Sequence, residues 1–89
     1  MKCYITVVGK DTVGIIARTS AFMYDNNINI LDISQSITND IFHMMMVIDI
    51  SKSSLDFKDV ASNLKDIGTK IGVDIKLQHE DIFNAMHRI

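Results

Sequence analysis

Gly9-Lys10-Asp11-Thr12-Val13-Gly14-Ile15 is where one periodicity gives way to another. Before it, Lys2 to Val8 is dense in β-branched and aromatic residues, the pattern of a strand. After it, Ile15, Ile16, Thr19, Phe22 and Met23 fall on one face of an α-helix. Asp11 or Thr12 is the expected N-cap, because each carries a short side-chain oxygen just ahead of the helical repeat. A helix start presents unpaired N–H groups and the positive end of the macrodipole, so a carboxylate can be held there without a dedicated arginine. Gly9 and Gly14 would let the backbone approach such an anion; they would equally well make a tight strand-to-helix turn.

The rest of the chain continues in short alternating elements. Asn26-Asn27 suits a left-handed helix end, Ile28 to Thr38 reads as a strand, and Asn39-Asp40 marks a turn. Ile41 to Ile50 is apolar at both parities, which suits a central strand covered on both faces. Within it His43 is expected to be a hydrogen-bonded core or interface residue, and Met44, Met45 and Met46 to be core packing. Ser53 or Ser54 can cap a second helix whose apolar stripe is Phe57, Val60, Ala61, Leu64, Ile67 and Ile71, stopped by Gly72. Val73 to Gln78 alternates as an edge strand does. In an amphipathic tail at 81–89, Ile82, Phe83, Met86 and Ile89 predict a short C-terminal helix.

The order βαββαβ folds, with right-handed crossovers, into a ferredoxin-like α+β sandwich: an antiparallel sheet in the order 4-1-3-2 with two helices on one face. The Tyr4, Thr6 and Val8 side of the first strand, or the opposite parity, must then be covered by something else, the tail or a second protomer.

Composition bounds the reading. The 89 residues are expected to form one domain over 1–89, and a chain this size buries only roughly 60 to 65% of its unfolded surface, so a partner copy would help its core. There is no Pro or Trp, and no apolar run approaches the roughly 20 residues of a membrane helix. Met1-Lys2-Cys3-Tyr4 runs straight into a strand without a secretory leader pattern, so a cytoplasmic location is expected. The single cysteine, Cys3, has no second Cys at metal-binding spacing and reads as a buried thiol. Net charge is −2 with scattered Lys and Arg, which gives no footprint for nucleic acid.

Chemistry-bearing residues are sparse. His79, Glu80 and His87 match a metal set by type but not by spacing, so no metal is expected. No Ser-His-Asp set or paired carboxylates can be placed together, and acylphosphatase-type hydrolysis would need an Arg where the loop offers Lys10. Lys10 and Arg18 are isolated cations of the kind that are usually solvated. Tyr4 and Phe42 alone make too thin a platform for RNA.

The segment Val7 to Ala17, followed by Asn29-Ile30 and a long hairpin, resembles an ACT domain. The whole chain, with its closing segment Gln78 to Ile89, is similar to small stand-alone ACT proteins of bacteria and archaea related to the glycine cleavage system transcriptional repressor. The resemblance implies a regulatory module without catalytic residues or cofactors, which binds a small molecule, most often an amino acid, at an interface between paired domains. It implies ligand contacts from Lys10, Asp11, Thr12, Val13, Gly14 and Ile15, and from Asn29, Ile30 and Asp32 of a neighbouring domain. Backbone N–H groups near Val13 to Ile15 would take the ligand carboxylate, Asp11 would order the loop or meet an ammonium, and Asn29 would add an amide bond. A homodimer is expected, with a dimeric protein-interaction subunit lacking any ligand as the alternative.

Overall fold

A computed structural model describes residues 1–10 and 13–81. The elements are β1 (Lys2–Lys10), α1 (Ile15–Asp25), β2 (Asn29–Thr38), β3 (Ile41–Asp49), α2 (Phe57–Ile71) and β4 (Val73–His79). They form one antiparallel sheet in the order β2-β3-β1-β4, the expected 4-1-3-2 arrangement, with β1 and β3 central. The expected C-terminal helix lies outside the described residues from Ile82 onward.

Register assigns every strand residue to a face. On one side, three rows run across the sheet: Ile33, Met46, Ile5 and Leu77; Gln35, Met44, Val7 and Ile75; Ile37, Phe42, Gly9 and Val73. This is the helix side, because Ile5, Val7, Phe42, Met44 and Met46 are buried together with Ile15 and Met23 of α1 and Val60 and Leu64 of α2. The other side carries Asp32, Val47, Tyr4 and Gln78; Ser34, Met45, Thr6 and Lys76; Ser36, His43, Val8 and Asp74. No helix among the described residues covers that side, and they form a slab only 19 Å thick in its shortest dimension, one sheet and one helical layer.

This face corrects three expectations. β3 is central but covered on one side only: Phe42, Met44, Met46 and Ile48 are buried, whereas Ile41, His43 and Met45 are exposed. The methionine triplet therefore contributes two core residues, since successive side chains of a strand point to opposite faces. Of the two places expected for His43, core or interface, the core is ruled out: it sits on the open face beside Ser36 and Val8.

Helix ends supply two further corrections. α1 begins at Ile15 with Gly14 as N-cap, at φ 93° in the left-handed region, instead of at Asp11 or Thr12, which lie outside the described residues. α2 is capped by Asp56, whose carboxylate accepts the Asp59 N–H at 2.9 Å; Ser53 is used one turn earlier, accepting the Leu55 N–H at 3.1 Å. Gly72 ends α2 at φ 81°, as its sequence position indicates. Asn39 and Asp40 both take positive φ, 52° and 67°, the two-residue turn whose twist matches a hairpin. Cys3 is fully buried, and burial pushes its thiol above the ordinary range, so it is neither a ready thiolate nor a ligand.

Candidate functional site

α1 and α2 start in opposite electrostatic states. At the start of α2, Asp56 occupies a free N–H and Asp59 adds a second carboxylate in the first turn. α1 has no acidic residue in its first turn, and no side chain among the described residues accepts a hydrogen bond at its cap. Its ladder begins with the Arg18 N–H donating to the Gly14 carbonyl at 2.9 Å, so the preceding amides have no intrahelical acceptor. Among the described residues, the start of α1 is thus a polarised helix end with no side-chain cap.

The residues around it divide by role. Val13 is 99% exposed, projecting from the loop with nothing covering it. Gly14 has open space where a Cβ would stand, with nothing within 4 Å, and its φ is one that L side chains rarely adopt. Ile15 is buried in the core, so only its backbone is available at the helix start. Lys10 is the last residue of β1, at the end of the sheet from which the chain runs on toward α1. Gly9, read as a ligand-loop glycine, serves packing instead: a Cβ on it would stand 2.8 Å from Val73 Cγ1 across the β1–β4 pairing.

Asn29, Ile30 and Asp32 lie elsewhere. Asn29 pairs with Asp49, which pairs with Lys2, so the start of β2 is level with the start of β1 and roughly 26 Å from Lys10. Ile30 is half-buried against the core, and Asp32 Oδ1 accepts its neighbour's N–H, that of Ile33, at 2.9 Å. One protomer therefore does not bring the two groups of expected ligand residues together. A second copy whose β2 runs antiparallel to the first would place the start of one β2 at the loop end of the other.

The described residues form depressions away from this loop. One, of about 840 Å³, lies between the end of α1 and the start of β2, against Tyr24, Asp25, Asn27, Asn29, Asp49 and Lys52. A second, of about 430 Å³, lies on the open face over Thr6, Val8, Ser34, Ser36, His43 and Met45. Neither is lined by residues 13–15.

Asp49, in the first depression, is tied down. Its carboxylate accepts the Ser51 N–H at 3.0 Å, bonds to the Ser51 side chain and meets the Met1 ammonium at 3.1 Å, which hold its pKa down to about 2. A group lowered from its ordinary value contributes stability above that value and loses it on acidification. Asp49→Asn is expected to lower Tm at pH 7 and to reduce the fall in Tm between roughly pH 4 and pH 2, checked by paired thermal melts.

At the C-terminal end, Glu80 Oε2 lies 3.4 Å from Lys2 Nζ, and His79 Nδ1 accepts the Asp81 N–H at 3.2 Å. These are pairings within the chain; no group of metal-ligating side chains is found among the described residues, and His87 falls outside them.

The described elements make a βαββαβ sandwich of the ferredoxin-like kind. The chain belongs to the ACT domain family, whose model matches residues 3–78. It is 51% identical over 88 residues to a UPF0237 protein of Bifidobacterium longum, covering 99% of this chain and 98% of that one. An ACT domain protein from Streptococcus pneumoniae has the same fold at TM-score 0.82 and 39% identity, with 98% of each chain covered. A candidate glycine cleavage system transcriptional repressor superposes at TM-score 0.76 with 23% identity, covering 89% of this chain and 47% of that one, a likeness of fold.

Sequence reasoning missed the exposed apolar residues of β2. Ile33 is 42% and Ile37 58% exposed although both face the helix side. The signal was present in their four-residue spacing within a strand lacking Lys and Pro.

Proposed function

We propose that this chain is a non-catalytic regulatory module that binds an amino acid at the start of α1, in a site completed by a second copy. The observation that carries the reading is the contrast between the two helix starts: α2 is closed by Asp56 and Asp59, whereas the described residues leave α1 open to an anion. In this reading the ligand carboxylate takes the backbone N–H groups near Gly14 and Ile15. Asn29 and Asp32 of the second copy meet its polar groups. Lys10, Asp11, Thr12 and Val13 frame the entrance, and Ile30 supports Asn29 from the core side. The domain acts in the cytoplasm by changing its assembly, or a partner's, since a ligand shifts an equilibrium only through different affinities for its states.

A thermal-melting screen against the proteinogenic amino acids tests this. A ligand at a hundredfold its Kd stabilises by about 2.7 kcal/mol, which for a domain of this size raises Tm by roughly 10 °C or more. Gly14→Asn, which tolerates left-handed φ, should fold and still lose the rise, because its side chain projects into the space left open at the cap. A rise that survives in Gly14→Asn, or no rise with any amino acid, refutes the assignment; the second result favours the protein-interaction subunit, for which the exposed β2 residues speak.

A further inference from the structure

The open face of the sheet is apolar along its middle. Val8 of β1 and Ile41, His43 and Met45 of β3 are exposed there, with Tyr4 and Val47 half-buried at one end. These residues make one continuous band two strands wide, about 10 Å across. Its flanks differ. β2 lines one side with the hydroxyls of Ser34 and Ser36, whereas β4 lines the other with Asp74 and Lys76, opposite charges two residues apart and both exposed. The depression of about 430 Å³ lies over the middle of the band, across the row of Met45 and the row of His43.

We infer that a second copy of this chain stacks its open face on the first, sheet against sheet, about a two-fold axis that crosses the strands between the Met45 row and the His43 row. Each of these rows then lies over the other row of the partner. Met45 stands over the partner's His43, Thr6 over the partner's Val8, and Lys76 over the partner's Asp74. Symmetry repeats each contact, so two ion pairs form along one flank, and Ser34 meets the partner's Ser36 along the other. The charges select this arrangement. An axis through the Met45 row would set Lys76 against its own copy, and one through the His43 row would do the same to Asp74. An axis running along the strands would lay both charges over the partner's serines, with no opposite charge to meet.

The area is sufficient for a reversible contact. Strands about 4.8 Å apart and rows about 6.8 Å apart give the four-stranded sheet a face of roughly 19 by 27 Å, or about 500 Å² in plan. Two copies together bury on the order of 1,000 Å², the lower bound of a specific interface. Association is therefore concentration-dependent, and it rests on the central Met45 and His43 with the two charge pairs setting the orientation.

This inference goes beyond the proposed function and does not depend on it. Ile15 packs into the core on the helix side of the sheet, and Val13 beside it is exposed, so stacking the opposite faces leaves the start of α1 accessible.

Sedimentation over a range of protein concentrations, at low salt, reads the contact. Met45→Lys should weaken association by about a hundredfold and halve the mass reached at high concentration, whatever other association the chain shows. Lys76→Asp and Asp74→Lys should each weaken it by about tenfold, because like charges then face each other. The combined Asp74→Lys/Lys76→Asp protein, in which the charges have exchanged places, should regain the parent's strength. Lys65→Asp on the outer face of α2, the same change of charge, should leave association unaltered. Alkylation separates a second copy from a segment of the same chain. In Met45→Cys the new thiol is the accessible one, since Cys3 is buried, and its reaction with iodoacetamide should slow as protein concentration rises. Slow reaction at every dilution would mean that residues after Asp81 cover the face within one chain, and overturns the stacking. Fast reaction at every concentration, an unchanged mass in Met45→Lys, or exchanged charges that fail to restore association overturns it too. A stacked assembly that answers to no amino acid keeps this inference and refutes the proposed function. A thermal shift in a protein whose association ignores Met45 and Lys76 does the reverse.

Discussion

Gly9→Ala is expected to lower stability by about 1–3 kcal/mol, and Gly68→Ala to lower it as well even though alanine is the better helix former. Both glycines meet the same residue. A Cβ at Gly9 stands 2.8 Å from Val73 Cγ1, 2.9 Å from its Cβ and 3.0 Å from its Cα; one at Gly68 stands 2.7 Å from the Val73 carbonyl oxygen and 3.1 Å from Ile75 Cγ1. Val73 is pinned between β1 and α2, so neither clash is relieved by a flexible side-chain end. At Gly68 the propensity gain of about 0.5–1 kcal/mol is set against an overlap with backbone, and the overlap wins. Tm should fall by about 4–8 °C per kcal/mol lost, and the double substitution should depart from additivity because the two sites share Val73. A Gly68→Ala protein more stable than the parent would remove the close α2–β4 contact from the account.

Leu64→Ala is expected to cost about 2–5 kcal/mol, because the deleted atoms leave a cavity the sheet cannot close. Leu64 is 1% exposed at the middle of the α2 stripe, one turn from Val60 and from Gly68, whose close approach to β4 fixes the distance between helix and sheet. A small domain holds only about 5–15 kcal/mol in total, so denaturant melts should show the midpoint moving far toward zero with little change in slope. A loss below about 1 kcal/mol would mean that the helix settles into the gap, and hence that Gly68 does not fix its height.

Much of this architecture is legible in the chain. The apolar stripe of α2 and its stop at Gly72, the Asn39-Asp40 turn and the central position of β3 follow from periodicity and turn chemistry, and they suffice to fix the strand order. What was not legible depends on contacts distant in sequence. Gly9 is a glycine because of Val73, and nothing near Gly9 announces it. Ser53 and Asp56 are both good cap residues; which one starts the helix is decided by where the connection from β3 brings the chain. His43 and Met45 look like core because β3 is apolar throughout, yet the described residues supply a covering layer on one face only.

The candidate site divides the same way. The loop after β1 could be named from its glycines, its change of period and its family resemblance. That Asn29 and Asp32 stand at the other end of the sheet from the loop emerges only from strand register, and it is in keeping with the resemblance, which takes those contacts from a neighbouring domain.

The most direct measurement is a titration of isotopically labelled protein, in which backbone amide shifts are followed as an amino acid that raises Tm is added. The account predicts that the amides of Gly14 to Ala17 move together with those of Asn29 to Asp32, with one common dissociation constant. Shifts confined to the open face around Thr6, His43 and Met45, with the amides at the start of α1 unmoved, would place the ligand elsewhere and refute the reading.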